Sequence, residues 1–110
     1  MRTLAAVAIG GFLVGVGGTA LAASHGKSVY EQTCIACHGA DGKGSVPGAP
    51  DLTRKSGPLA KPDDVLFKNV KNGFQTPGSP MAMPPKGGNP ALRDDDIKAV
   101  INYMRKAFGF

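Results

Sequence analysis

Apolar positions form one long run near the start of the chain and three helical stripes after it. The run from Leu4 to Val16 follows Arg2, holds glycines but no charge, and exits through Ala20-Leu21-Ala22. A positive start, an apolar stretch and a small-x-small exit predict a secretory signal peptide over residues 1–22, cut after Ala22 or Ala23. Leu4 to Ala23 is also twenty uncharged residues, just enough to span a bilayer. An uncleaved membrane anchor is therefore the competing reading, and the small-residue exit disfavours it. The first stripe predicts a helix over His25 to Cys34 capped by Ser24, with Val29, Tyr30 and Thr33 on one side. Gly26 lies on the face of Tyr30. A glycine inside a helix costs about 1 kcal/mol, so a close helix–helix contact there is expected. The second stripe opens at Pro62-Asp63-Asp64, places Val65, Leu66, Asn69 and Val70 at helical spacing, and stops at Asn72-Gly73. The third starts at Asp94-Asp95-Asp96 and aligns Ile97, Val100, Ile101, Met104 and Phe108, with Lys98, Arg105 and Lys106 off the stripe.

Between the stripes lie segments with no period. Gly39 to Pro50 has a glycine or proline at most turns. Phe74 to Pro90 carries five prolines and three glycines. A loop of that length is uncommon in a small domain unless it has a task. Strand-like alternation is found nowhere, so the fold class is all-α, with three main helices and long loops.

Composition sharpens the problem. Residues 23–110 make one small domain with no tryptophan, while the whole chain has sixteen glycines and five phenylalanines, one of them in the leader. Such a chain buries a limited core and needs a staple. Without Arg2 there are twelve Lys and Arg against eight Asp and Glu, a net charge of +4. The lysines are scattered from Lys27 to Lys106, which argues against a nucleic-acid groove.

The staple is offered by Cys34-Ile35-Ala36-Cys37-His38. The pattern C-x-x-C-H is the attachment signature of c-type haem. A redox dithiol would follow a strand, and none precedes this pair. A zinc site needs two further ligands; the chain has no third cysteine, and its other histidine, His25, reads as a solvated surface residue. Cys34 and Cys37 are thus expected to anchor one haem covalently, with His38 as its proximal iron ligand. A porphyrin would also supply the large apolar body that the core lacks. The segment Asp51-Leu52-Thr53 would cross the proximal side. The carbonyl of Pro50 is expected to accept a hydrogen bond from the second ring nitrogen of His38.

These residues resemble the class I c-type cytochromes, in particular the small soluble bacterial monohaem cytochromes, over essentially all of residues 23–110. The resemblance implies a cytochrome c-like fold, with the first and last helices crossing near Gly26, Tyr30 and Tyr103. Gly48-Ala49-Pro50-Asp51-Leu52 is similar to the family's Gly-Pro-x-Leu segment with an extra Ala49, implying that Pro50 and Leu52 touch the cofactor. The Met-Pro pattern of the distal loop falls on Met83-Pro84, and Met81 stands two residues earlier. Proline at 84 biases Met83 to an extended backbone, so Met83 is the expected sixth ligand, and Met81 is expected to pack beside the haem. A soft thioether opposite histidine raises the reduction potential. The implied function is not enzymatic: a periplasmic carrier moving one electron between redox protein partners, respiratory or dehydrogenase in kind, with weak association to a membrane-bound oxidase or dehydrogenase. The alternatives are a haem c subunit of a larger oxidoreductase complex and an open-site gas-binding or peroxidase-like protein. Lys43, Lys71 and Lys86 are expected to frame the exposed haem edge.

Overall fold

Ser24 is already helical in the computed structural model, which describes residues 24–110. The leader and its cut site lie outside the described residues. Helix α1 occupies residues 24–38 and differs from the expected helix in two ways. Ser24 lies within the helix instead of capping it, and the helix runs four residues past Cys34, so that the whole C-x-x-C-H motif is helical. A π turn over Tyr30–Cys34 interrupts it, with the N–H of Ile35 donating to the carbonyl of Tyr30. Such wide turns re-aim the residues that follow and recur at functional sites. No side-chain pattern announces one, which is why the spacing of apolar residues missed it.

Helix α2 (Asp63–Asn72) and helix α3 (Asp94–Ala107) fall where their stripes predict. Both open on aspartates, which suit the positive end of the helix dipole, and both carry basic residues in the last turn. Short 3-10 turns at Pro58–Ala60 and Pro85–Gly88 punctuate the loops. The described residues hold no strand beyond a single antiparallel bridge between Phe74 and Met83. The apolar stripe of α3 is the centre of the core, and Ile97 and Val100 are fully buried beside Tyr30.

Helices α1 and α3 cross at Gly26. A Cβ placed there would stand 2.8 Å from Cβ of Tyr103 and closer still to the backbone of Ala99. No side chain fits, so the glycine sets how near the two axes come. Tyr30 then packs on Tyr103 and Phe108, with ring centroids 5.5 and 5.6 Å apart. Its hydroxyl donates to the carbonyl of Gly39 at 2.5 Å, just beyond the end of α1. Burial, with smaller contributions from Cys34, Tyr103 and Asp41, pushes the Tyr30 phenol up to about 12. It is a neutral donor at any physiological pH. On the opposite flank, Arg105 of α3 binds three groups of the segment before and at the start of α2. It donates to the carbonyls of Leu59 at 3.4 Å and Lys61 at 2.6 Å, and pairs with Asp63. That ties the 3-10 turn carrying Leu59 against the core. Among the described residues no helix is long and apolar enough to cross a membrane.

Candidate functional site

Between the end of α1, the inner faces of α2 and α3, and the two long loops lies a cavity of about 240 Å³. Cys34 and His38 form one wall, Leu52 and Leu59 another, and Leu66, Val70, Val100 and Met104 the back. Phe74, Met81 and Met83 face in from the distal loop. A second lobe of about 90 Å³ is lined by Cys37 and by the Val46–Pro50 loop. The two lobes share Cys34, His38, Gly48, Pro50, Met81 and Met83, so together they form a slot open along one edge.

Each side chain reaches the slot for a local reason. Within α1, residues three and four apart share a face, which brings Cys34 beside both Cys37 and His38. Both cysteines are free thiols, Cys34 buried and Cys37 exposed. Burial, and then the neighbouring Cys37, pushes the Cys34 thiol up to about 11. Loop residues stitch down the end of the helix. The N–H groups of Gly44 and Ser45 donate to the carbonyls of His38 at 2.8 Å and Cys37 at 2.9 Å, and the Ser45 hydroxyl donates to Ala36 at 3.0 Å. These bonds satisfy carbonyls that a helix end leaves orphaned, and they hold the motif still. Burial lowers the His38 pKa, which keeps the imidazole neutral, the form in which it binds metals.

Pro50 corrects the sequence-based expectation in part. It lines the slot, but its carbonyl does not accept from His38, whose Nδ1 is buried without a hydrogen-bond partner. The Val46–Ala49 turn, closed by the Ala49 N–H on Val46 at 3.1 Å, accommodates the extra residue just before Pro50. Leu52 is buried in the wall, where its N–H donates to the carbonyl of Gly42 at 2.7 Å.

The two methionines separate clearly. Met83 is partly buried, packs on the core, and is fixed by two backbone bonds with Phe74, at 3.0 and 2.7 Å. Met81 is 49% exposed. The pairing with Phe74 depends on Gly73, which has φ of +88°, and a Cβ on it would lie 2.9 Å from the Met83 carbonyl. Sequence reading took Gly73 only as a helix stop and overlooked Phe74 as a partner; a glycine that ends a helix carries no signal of such a contact. A further tie joins the distal loop to α1, where Asn89 donates to the Thr33 hydroxyl at 3.3 Å.

Of the three lysines expected at the haem edge, one is engaged elsewhere. Lys71 is paired with Asp94 at 3.1 Å on the outer face of α2 and α3. The slot is lined instead by Lys61, whose ammonium sits 4.5 Å from the centre of the Phe74 ring.

Among the described residues no group of three His, Cys, Asp or Glu side chains is placed to hold a metal by itself. What the slot offers suits an iron already held in a flat apolar ligand. Two thiols stand on one wall, an unpaired buried imidazole is next to them, a fixed thioether lies on the loop across the slot, and the lining is otherwise mainly apolar. Fold and site together define a domain built around one covalently held porphyrin. A family model described as cytochrome c oxidase, cbb3-type, subunit III matches residues 21–104. A cytochrome c-555 of Chlorobaculum thiosulfatiphilum is 34% identical over 85 residues, 74% of this chain and 92% of that relative. A cytochrome c-555 of Chlorobaculum tepidum is 32% identical over 108 residues, 94% of each chain. Among solved structures, cytochrome cL of Methylophaga aminisulfidivorans superposes with a TM-score of 0.60 at 25% identity, covering 78% of this chain and 53% of that longer one. The chain belongs to the c-type cytochrome family, as a small class I member, and its cofactor is haem c.

Proposed function

We propose that this chain is a periplasmic carrier of single electrons, with Cys34 and Cys37 as the thioether anchors and His38 and Met83 as the two axial ligands. Bound in the slot, haem c supplies a one-electron ferrous–ferric couple. The protein's own residues do the rest. Leu52, Leu59, Leu66, Val70, Val100 and Met104 exclude water from the haem faces, and Pro50 closes the rim. The observation that carries the reading is Met83, held at the slot by its paired bonds to Phe74 while Met81 stays half in solvent. With both axial positions filled by protein, no position is left for a substrate, and the chain is not an enzyme on this reading. Export rests on the pattern of residues 1–22, and the family match beginning at residue 21 supports a domain that starts where the leader ends. The partners are redox proteins, an electron donor and an acceptor.

Protein-film voltammetry tests the proposal: a reversible one-electron wave, unchanged when peroxide or oxygen is added, is expected. A catalytic current with either would overturn it. A second reading, a subunit held in a larger oxidoreductase, is favoured by the oxidase-subunit description of the matching family. Size-exclusion of an untreated periplasmic extract separates the two, since a free carrier elutes at the size of the single chain.

A further inference from the structure

The slot is mainly apolar, and the polar side chains that face it are not spread evenly. Lys61, Asn69, Thr76 and Ser79 line the larger lobe. The lobe that holds Cys37 has only Thr33 besides the C-x-x-C-H residues themselves. Lys61 is the one Lys, Arg, Asp or Glu among the described residues of either lining. The slot therefore has a thiol side and a polar side, and a single cation stands on the polar one.

Lys61 is held from behind. Its carbonyl accepts from Arg105 at 2.6 Å, the carbonyl of Leu59 accepts from the same guanidinium at 3.4 Å, and the Lys61 N–H donates to Pro58 at 3.1 Å. With its backbone fixed, the side chain sets its ammonium 4.5 Å from the centre of the Phe74 ring. Phe74 in turn makes the paired backbone bonds to Met83. Lys71 has Asp94 and Arg105 has Asp63, but among the described residues no carboxylate pairs with Lys61. A ring face attracts a cation, yet the strong hydrogen bonds of an ammonium are those to a carboxylate. Haem c brings two carboxylates, on the edge of the macrocycle away from the carbons that bond to cysteine. A carboxylate set against apolar side chains is costly unless it is paired.

We infer that Lys61 forms an ion pair with one haem carboxylate, with the Asn69 amide as a further donor on that side, and that this pair raises the reduction potential of the iron. The inference rests on the thioether anchors at Cys34 and Cys37 proposed above, which turn the carboxylate edge toward the polar side. An unpaired negative charge in the slot favours the ferric state, and the ammonium offsets it. Lys61 touches neither axial ligand and acts on the iron through its charge alone.

The potential of the holoprotein should be measured in the parent, Lys61→Gln and Lys61→Arg, at low salt and at roughly 1 M salt, where exposed charges are screened within about 3 Å. Lys61→Gln should favour ferric over ferrous iron roughly tenfold, a fall of about 59 mV for one electron. That fall should persist at high salt, because a pair formed inside the slot is screened little. Lys61→Arg keeps the charge and should stay near the parent. The absorbance spectra of all three should coincide, which separates loss of a charge from loss of an axial ligand. An unchanged potential in Lys61→Gln overturns the pair alone, as does a fall that disappears at high salt, the mark of a charge standing in solvent. Release of haem from the parent by acidic acetone, which spares thioether-bound haem, would overturn the anchors and the pair with them.

Discussion

Met81 and Met83 carry the same side chain two positions apart, and their backbones set them apart. Met83 is held on both sides by Phe74, and Pro84 keeps it extended. Met81 is tied only by its local contacts with Ser79 and stays half exposed. Met83→Ala is therefore expected to remove the weak sulfur-to-iron band at the red end of the ferric spectrum and to lower the potential. Met81→Ala should leave both in place, and the reverse pattern would assign the ligand to Met81. The sequence favours Met83 through Pro84 alone. The mechanical basis, the Phe74 bridge and the room made by Gly73, was not legible there, because that contact joins residues whose types do not announce pairing. Pro50 shows the opposite failure: a loose motif match placed it correctly at the slot and assigned it a hydrogen bond that His38 does not make.

At the scale of elements, the periodic stretches were the legible ones. Both α2 and α3 start at their acidic signals, and α2 stops at Gly73, because each buries a single stripe. Helix α1 outran its expected end because the haem motif itself is helical and is entered through a π turn. A motif read for its chemistry gave no account of its backbone. Gly26, by contrast, was read correctly from its helix cost, and its contact allows a quantitative prediction. Gly26→Ala gains about 1 kcal/mol of helix propensity but forces α1 away from Ala99 and Tyr103, a clash costing typically 1–3 kcal/mol or more where backbone must move. Since the clash is with backbone, the loss should win. The thermal midpoint of the holoprotein should fall, and an unchanged or raised midpoint would show that the helix crossing relaxes more easily than this packing implies.

For the molecule as a whole, the small helical core is arranged as the rim of a slot. Leu52, Leu59, Leu66, Val70 and Met104 are buried from solvent yet turn toward the cavity, so much of what a larger protein would pack against itself here lines the slot. The sequence conveyed this through scarcity: no tryptophan, many glycines, and a motif for a covalent apolar group. It did not reveal which lysine stands at the rim, because Lys61 and Lys71 differ only in what the tertiary fold brings beside them, Phe74 in one case and Asp94 in the other. The account turns on both axial positions being filled by the protein. Carbon monoxide titration of the dithionite-reduced protein, followed by absorbance, tests this most directly: the ferrous spectrum should stay unchanged at carbon monoxide levels that saturate an open haem, and ready formation of a carbon monoxide adduct would contradict it.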